Sequence, residues 1–192
     1  MPKRPAFVQG HYYHLYNRGR SRLSIFHHPN DYLDVLERMK KYLQALRLSI
    51  IAYVLLPNHY HMLVRQEGDF RSSLLPQRIF NGYSKRYNSR YKHRGTIFEA
   101  DAKGILVNRE DYLLHLCRYI HANPLRHGLV KSLDDWPYSN YHEWVGSRKG
   151  VLWDSNFLIE NFGSSLEYQE FVDDYLGSKH EPDGFSDANI WD

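Results

Sequence analysis

Apolar residues recur along this chain with two periods, which predict where its strands and helices lie. Residues 10–19 alternate and are rich in aromatics, as expected for a strand, and residues 48–56 and 59–65 are apolar runs that predict two further strands joined by a tight turn. Between the first and second of these strands, apolar side chains return at steps of three and four over residues 30–47. This spacing predicts an amphipathic helix.

Helix starts are predicted from short polar side chains that accept hydrogen bonds from the first backbone N–H groups. Asn30 or Asp31 would cap the first helix, and a second helix would open within residues 69–73. Asn108, followed by Asp111 three residues later, has the pattern of a capping box and predicts the start of a third helix.

The segment before the third helix, residues 96–107, is predicted to be a strand interrupted by a bulge. The element order is then strand, helix, strand, strand, helix, strand, which is the α+β, ferredoxin-like βαββαβ pattern with an antiparallel sheet. The third helix follows, and it should end near Asn123 because Pro124 disfavours helical geometry at the residue before it. Beside an apolar stripe for packing, it carries a second stripe formed by Tyr112, Leu116, Tyr119 and Asn123.

Two histidines, His59 and His61, lie within the last of the apolar runs. Residues i and i+2 of a strand point to the same face, so both imidazoles should leave the sheet side by side. Neutral imidazole is the commonest metal ligand in proteins, and two of them leave much of a divalent ion's coordination sphere for water and substrate. A strand histidine is more often structural. This interpretation is preferred for His14 in the first strand, although its imidazole could also approach the metal.

The single cysteine, Cys117, excludes an intramolecular disulfide and a thiolate-rich zinc site. The sequence contains no run of 18 apolar residues and no signal-peptide pattern, so neither a membrane span nor secretion is expected. A cytoplasmic protein is the interpretation that fits these features.

Charge is distributed unevenly along the chain. Residues 1–150 hold 24 Lys and Arg against 12 Asp and Glu, whereas residues 151–192 hold 1 against 10. The first part is therefore expected to bind a polyanion. Seven cations and no carboxylate occur between Phe70 and Phe98, and the chain has 16 tyrosines. Cations with aromatic rings favour an unpaired nucleic-acid strand, although a solvated basic face with ordinary core tyrosines has the same composition.

The tyrosine stripe offers a chemical group that could work beside the histidine pair. Tyrosine can act as a covalent nucleophile, and its ordinary pKa near 10 means that it needs a nearby cation or a polarised phosphate at neutral pH. A metal held by His59 and His61 could polarise a phosphate next to Tyr119, and the amide oxygen of Asn123 could complete the ligand set. Mg²⁺ or Mn²⁺ would suit these ligands.

Three motifs stand out along the chain. They are YHLYNRG at residues 13–19, LPNHYHMLV at residues 56–64, and RYIHANP at residues 118–124 followed by GLV at residues 128–130. They resemble the motifs of the REP-associated tyrosine transposases, relatives of the IS200/IS605 single-tyrosine transposases among the HUH endonucleases. The resemblance covers roughly residues 8–145, and the order and spacing of the motifs are specific.

This resemblance implies roles for particular residues. Tyr119 would be the nucleophile that attacks a phosphodiester of single-stranded DNA, leaving a 5′-phosphotyrosine and a free 3′-hydroxyl. His59 and His61 would be metal ligands, and Asn123 falls where the family has a third. The expected partner is single-stranded or REP-like hairpin DNA, bound by a monomer or homodimer. The residues predicted to contact DNA are Arg18, Arg71, Arg78, Lys85, Arg86, Arg90, Lys92, Arg94, Arg118 and Arg126.

The predicted family domain spans residues 1–145, and an acidic helical extension occupies residues 146–192. From residue 177 onward the sequence lacks apolar periodicity and is expected to be poorly ordered. Short helices are expected at residues 139–146, 155–163 and 166–176.

Three other functions stay open at this point. A replication initiator or relaxase of the HUH class would share the chemistry, but these often carry two catalytic tyrosines, and Tyr112 lies near the start of the third helix. A histidine-triad hydrolase or nucleotidyl transferase needs a third alternating histidine, and that position is Leu63. The third alternative is a hairpin-binding protein that no longer cuts, which the presence of His59, His61 and Tyr119 disfavours.

Overall fold

A computed structural model describes residues 7–178 of the chain, so the tail predicted to be poorly ordered lies, from residue 179 onward, outside the described residues. The strands are β1 (Tyr12–Arg18), β2 (Leu48–Leu56), β3 (His59–Gln66) and β4 (Lys103–Val107). The helices are α1 (Pro29–Leu46), α2 (Leu74–Tyr91), α3 (Glu110–Arg126), α4 (Tyr141–Trp144), α5 (Ser155–Phe162) and α6 (Ser165–Gly177). The strands form one antiparallel sheet in the order β2-β3-β1-β4, which confirms the predicted ferredoxin-like α+β fold.

Helices cover both faces of the sheet. Tyr60 and Met62 of β3 join the apolar residues of α1 and α2 in one core, whereas Leu63 joins those of α3 in a second core. Because side chains alternate along a strand, His59 and His61 lie on the same face as Leu63 and therefore face α3.

The extension packs into the core on the α3 side. Phe157 of α5 and Tyr168 and Val172 of α6 are buried there with residues of α3. The segment before α4 covers the outer edge of β2, where the backbone N–H of Leu55 donates to the carbonyl of Tyr138 over 2.9 Å. The predicted helices 155–163 and 166–176 are confirmed as α5 and α6, and the boundary after residue 145 stays a prediction.

The predicted strand over residues 96–107 is wrong in its first half. Before β4, pairing is reduced to an isolated bridge between Gly19, just after β1, and Phe98, where the backbone N–H groups of Glu99 and Arg20 donate to the carbonyls of Arg18 and Ile97 over 3.1 and 2.9 Å. Between the bridge and β4, the side chain of Asn17 donates to the carbonyl of Ala100 over 3.0 Å. A side-chain hydrogen bond therefore replaces the ladder, and the chain loops out from the sheet there.

The predicted caps of two helices are also wrong. The N-caps are His28 in α1 and Arg109 in α3, in place of Asn30 or Asp31 and of Asn108. Pro29 explains the first difference, because proline suits the first helical position and places Asp31 third, where its carboxylate bonds the backbone of His28.

The helix α3 continues through Pro124 to Arg126, three residues past its predicted end. An interior proline lacks the N–H for its own ladder bond and crowds the carbonyl four residues before it, yet the backbone N–H of His127 still donates to the carbonyl of Asn123 over 2.9 Å. The stripe that carries Tyr119 and Asn123 therefore extends to His127, at steps of four residues.

Candidate active site

The two strand histidines lie side by side, as the period of the strand predicts. The ring centroids of His59 and His61 are 5.3 Å apart, and the rings are nearly perpendicular. His61 is completely buried, whereas His59 is 7 % exposed at the border of a cleft. One imidazole therefore lies inside the protein, and the other borders a cleft that a ligand could enter.

Tyr119 of α3 lies against the inner histidine. Its ring meets that of His61 edge to face, with 5.7 Å between centroids, and the tyrosine is 3 % exposed. The neighbouring apolar stripe of α3, including Leu116, Cys117 and Ile120, packs into the core on this face of the sheet. Packing of α3 thus fixes where the phenol stands relative to the histidine pair.

Each imidazole is held through its Nδ1 atom. The Nδ1 of His59 is 2.6 Å from Oδ1 of Asn58, and the Nδ1 of His61 is 2.9 Å from Nε2 of His14. These bonds orient the rings and make Nε2 the nitrogen suited to an ion. Burial, with the neighbouring His14, His59 and His127, lowers the pKa of His61 well below its ordinary value. His61 is therefore neutral, which is the form that binds metals.

A third protein ligand would have to come from another residue type. Within residues 7–178, no three His, Cys, Asp or Glu side chains are grouped so that they could hold an ion. Asn123 is buried one turn after Tyr119, and its Nδ2 donates to the Tyr119 carbonyl over 2.7 Å. With Nδ2 engaged, Oδ1 is the atom that could bind an ion, and two imidazole nitrogens with one amide oxygen fit Mn²⁺ or Mg²⁺ completed by water and phosphate.

A cleft of about 440 Å³ opens beside the outer histidine. Its wall includes His59, Asn58 and His127, and the guanidinium groups of Arg18 and Arg22 add positive charge. Paired arginines on a concave surface suit a phosphodiester, because their planar donors match phosphate oxygens.

Sequence reasoning missed His127. Its ring lies 5.2 Å from that of His59, centroid to centroid, and it lines the cleft. The helical spacing that places His127 on this stripe is present in the sequence, since residue 127 is eight positions after Tyr119 and four after Asn123. The interpretation failed because the helix was expected to end before Pro124.

Three of the predicted DNA-binding arginines lie on the α3 side of the sheet, in different surroundings. Arg18 lines the cleft, and its guanidinium bonds the carboxylate of Glu99. The guanidinium of Arg126 is 5.6 Å from the centroid of the Tyr119 ring. The guanidinium of Arg118 stacks on Phe171 of α6 at 4.1 Å, so this residue faces the extension and not the cleft.

The other predicted DNA-binding residues belong to α2 and the chain beside it, and α2 packs on the opposite face of the sheet from Tyr119. Two of them are paired with α1: Arg86 contacts Asp34 at 3.1 Å, and Arg90 contacts Asp31. The exposed remainder are Arg71, Arg78, Lys85, Lys92 and Arg94.

The stripe of tyrosines on α2 packs inward, as tyrosines in an ordinary core do. Tyr83 and Tyr87 are buried in the core between α2 and the sheet, and the hydroxyl of Tyr91 donates to Asp31 over 2.6 Å. None of the helices between residues 7 and 178 combines the length and apolar composition that crossing a bilayer requires.

Comparison with known proteins decides the family. Residues 7–123 match the family model described as "Transposase IS200 like". The chain belongs to the IS200-like transposase family. The matched part of this IS200-like chain contains both strand histidines, Tyr119 and Asn123.

Two curated relatives of this chain carry names that agree with the motifs. The REP-associated tyrosine transposase of Escherichia coli (strain K12) is 32% identical over 98 residues, covering 50% of this chain and 56% of that protein. A putative REP-associated tyrosine transposase of Haemophilus influenzae is 29% identical over 110 residues, covering 50% of this chain and 60% of that protein. The chain thus spans little more than half the length of the curated relatives it matches.

A solved structure of a REP-associated tyrosine transposase bound to a REP hairpin has a similar fold. The TM-score is 0.63 at 22% identity, and the match covers 81% of this chain and 92% of that one. At this level of identity the likeness concerns the fold alone.

Proposed function

We propose that this IS200-like transposase cleaves and joins single-stranded DNA beside REP-like hairpins through a covalent bond to Tyr119. The observation that carries the proposal is the edge-to-face contact of Tyr119 with His61, next to His59 at the cleft. The names of the relatives, and the REP hairpin bound in the solved neighbour, support hairpin DNA as the substrate class.

The proposed reaction is a transesterification. The phenolic oxygen of Tyr119 loses its proton and forms a bond to the phosphorus of a phosphodiester, and the bond from phosphorus to the 3′ oxygen breaks. The released 3′ oxygen takes up a proton and becomes a hydroxyl, while the 5′ side stays on the protein as a phosphotyrosine. Because one phosphodiester replaces another, a 3′-hydroxyl can later reverse the step and join strands.

His59, His61 and Asn123 would hold a divalent ion, Mg²⁺ or Mn²⁺. When bound, such an ion neutralises charge on non-bridging phosphate oxygens. The ring-orienting bonds at Nδ1 of both histidines and the neutral state of His61 support this assignment. The assignment of Asn123 is supported by its burial and by the hydrogen bond from its Nδ2 to the Tyr119 carbonyl, which leaves Oδ1 to bind an ion.

The chain's own residues would bind and orient the strand. Arg18 and Arg22 line the cleft and would attract the phosphodiester to it. The chain after α2 returns to this end of the sheet, where the backbone N–H of Arg20 donates to the carbonyl of Ile97 over 2.9 Å. The cations that end α2 can therefore extend the DNA path. The protein would act on this DNA in the cytoplasm, as a monomer or a homodimer.

The test is the covalent adduct itself. The protein is incubated with single-stranded oligonucleotides that carry a REP-like hairpin, with Mn²⁺ or with EDTA, and resolved on a denaturing gel. An adduct that needs Mn²⁺ and is abolished in Tyr119→Phe, with hairpin binding retained, is the expected result.

Tyr112→Phe is the matched control, since it removes another phenol from the same helix and should leave the adduct intact. Loss of the adduct in Tyr112→Phe instead of Tyr119→Phe would overturn the choice of nucleophile. Hairpin binding by the wild type without any adduct would favour a DNA-binding protein that does not cut.

A further inference from the structure

Arg126 lies between two tyrosines from distant parts of the chain. Its guanidinium carbon is 5.6 Å from the ring centroid of Tyr119 and 5.3 Å from that of Tyr175, and its Nη1 donates to the hydroxyl of Tyr175. Tyr119 belongs to α3 and Tyr175 to α6. Neither Arg126 nor Tyr175 falls within residues 7–123, the part that matches the family.

We propose that Arg126 is the protein's own cation at the reacting tyrosine, and that Tyr175 is the positioning residue that holds it there. The inference rests on the proposed function, because it assigns a role in the reaction of Tyr119. As the phenolic oxygen bonds to phosphorus, negative charge develops on the phosphate oxygens, and a guanidinium 5.6 Å from the centre of the attacking ring is placed to stabilise that charge. Arg126 is also exposed on its outer side, so it can meet the incoming phosphate.

The hydroxyl that holds Arg126 is itself held in place. Tyr175 is buried, and the neighbouring residues Tyr168 and Val172 of α6 are completely buried in the core against α3. The guanidinium of Arg118 stacks on Phe171 at 4.1 Å and lies 5.0 Å from the Tyr175 ring. A long arginine side chain has many rotamers, and one bond to a fixed hydroxyl selects the rotamer beside Tyr119. The extension α6 is thus assigned a direct part in the active site.

Tyr175→Phe tests the proposal with the loss of one oxygen atom, because the ring and its packing remain. Adduct formation should slow about 2- to 12-fold, which is the rate change expected for the net free energy of one hydrogen bond. The affinity for the hairpin should stay within about 2-fold of the wild-type value. Arg126→Ala should slow the adduct about 100-fold, and Arg126→Lys, which keeps the charge, should be intermediate. In the Arg126→Ala background, Tyr175→Phe should have no further effect, because its action passes through Arg126.

Phe157→Leu is the control for a merely structural role, since it perturbs the same core through a ring of α5 that contacts Tyr12 and Trp144 and takes no part in holding Tyr175. Its adduct rate should equal that of the wild type, and circular dichroism with thermal unfolding checks the fold of every variant. An unchanged rate in Tyr175→Phe overturns the positioning role. An additive loss in the double variant, or a parallel loss of binding and cleavage in Arg126→Ala, overturns the role of Arg126 in the reaction. If the wild type forms no adduct, the proposed function fails first.

Discussion

The imidazole of His14 lies against that of His61, with Nε2 of the first 2.9 Å from Nδ1 of the second and 5.1 Å between ring centroids. Antiparallel pairing of β1 with β3 places Tyr16 opposite His61, so His14 is its diagonal neighbour on the same face. Burial lowers the pKa of His14 to about 3 and that of His61 well below its ordinary value, so both rings are neutral. One ring therefore donates its N–H to the other in this contact. For His61 to bind an ion through Nε2, its Nδ1 must carry that hydrogen and His14 must accept it.

His14→Phe should therefore weaken metal binding while leaving a ring of similar size in the core. We expect the affinity for Mn²⁺ to fall about 10- to 100-fold, because the orienting acceptor of a ligand histidine is lost. Titration calorimetry with Mn²⁺ alone, without DNA, measures this. His11→Ala, which removes an exposed imidazole just before β1, is the control and should bind Mn²⁺ as the wild type does. Equal Mn²⁺ affinity in His14→Phe and the wild type would contradict the role of His14.

A second prediction concerns the charge pair at the mouth of the cleft. Two nitrogens of Arg18 contact one carboxylate oxygen of Glu99, at 3.1 and 2.9 Å. A DNA phosphate must compete with that carboxylate for the guanidinium. Glu99→Gln should therefore tighten binding of single-stranded DNA about 3-fold at low salt and steepen the salt dependence by about 0.7 in log–log slope. Fluorescence anisotropy over a range of salt concentrations measures both.

The matched control for Glu99→Gln is Asp111→Asn. Asp111 pairs with Arg109 at the exposed start of α3, outside the cleft, and its removal changes the net charge equally. Tighter binding of the same size in both variants would mean that only net charge matters and that Glu99 does not compete for Arg18.

The fold and the histidine pair could be predicted because their causes are local. Side chains along a strand return to the same face every two residues, so the common face of His59 and His61 follows from their spacing alone. The stripe on α3 that carries Tyr119 follows from helix geometry in the same way. The break in pairing at residues 100–102 could not be predicted, because a side chain of β1 takes the place of a backbone partner there, whereas backbone hydrogen bonds persist at Ile97 and Glu99.

The rest of the site depends on contacts between distant segments. His127 reaches the cleft only because α3 continues through Pro124, and nothing local to the proline reveals that tertiary packing sustains the helix. Tyr175 meets Arg126 across 49 residues, and an amphipathic period does not tell which neighbour a helix will find. The contact of His14 with His61 likewise depends on the register of β1 on β3, which the spacing of residues within either strand does not determine.

The third prediction is a loss of stability in mild acid. Burial lowers the pKa of His115 and of His121 to about 4, with the charges of Arg118 and Arg126 adding to the effect at His115. Unfolded histidine has a pKa near 6.5, so between pH 6.5 and 4 the unfolded chain binds protons that the folded chain does not. The free energy of unfolding is therefore complete above pH 6.5 and falls as the pH drops, by up to about 1.4 kcal/mol per pH unit for each such histidine.

Urea unfolding at several pH values between 7.5 and 4.5 measures this slope. His115→Gln should reduce the slope of the free energy of unfolding against pH by up to the contribution of one bound proton. His11→Gln, at an exposed position, should leave that slope unchanged. A free energy of unfolding that stays constant from pH 7 to 4.5 would contradict the prediction.

The last prediction concerns Asn140, which joins the extension to the sheet. Its Oδ1 accepts from the backbone N–H of Tyr53 over 2.8 Å and from Nε2 of His121 over 2.9 Å. Its Nδ2 donates to the carbonyls of Ile51 and Leu152 over 2.8 and 3.2 Å. All four hydrogen-bonding positions of one completely buried amide are thus used, between β2, α3 and the segment before α5.

Asn140→Ala removes this amide and leaves its buried partners without a hydrogen bond. Each unsatisfied partner lowers the free energy of unfolding. We expect the free energy of unfolding to fall by about 3–5 kcal/mol, at the high end for a single substitution, with the midpoint of urea unfolding moving accordingly. Asn30→Ala, at an exposed position of α1, should change the free energy by less than about 0.5 kcal/mol. Asn140 also bonds His121 of α3, two residues after Tyr119. If Asn140→Ala and Asn30→Ala unfold at similar urea concentrations, the prediction is contradicted, and α3 is held against the sheet by its apolar stripe alone.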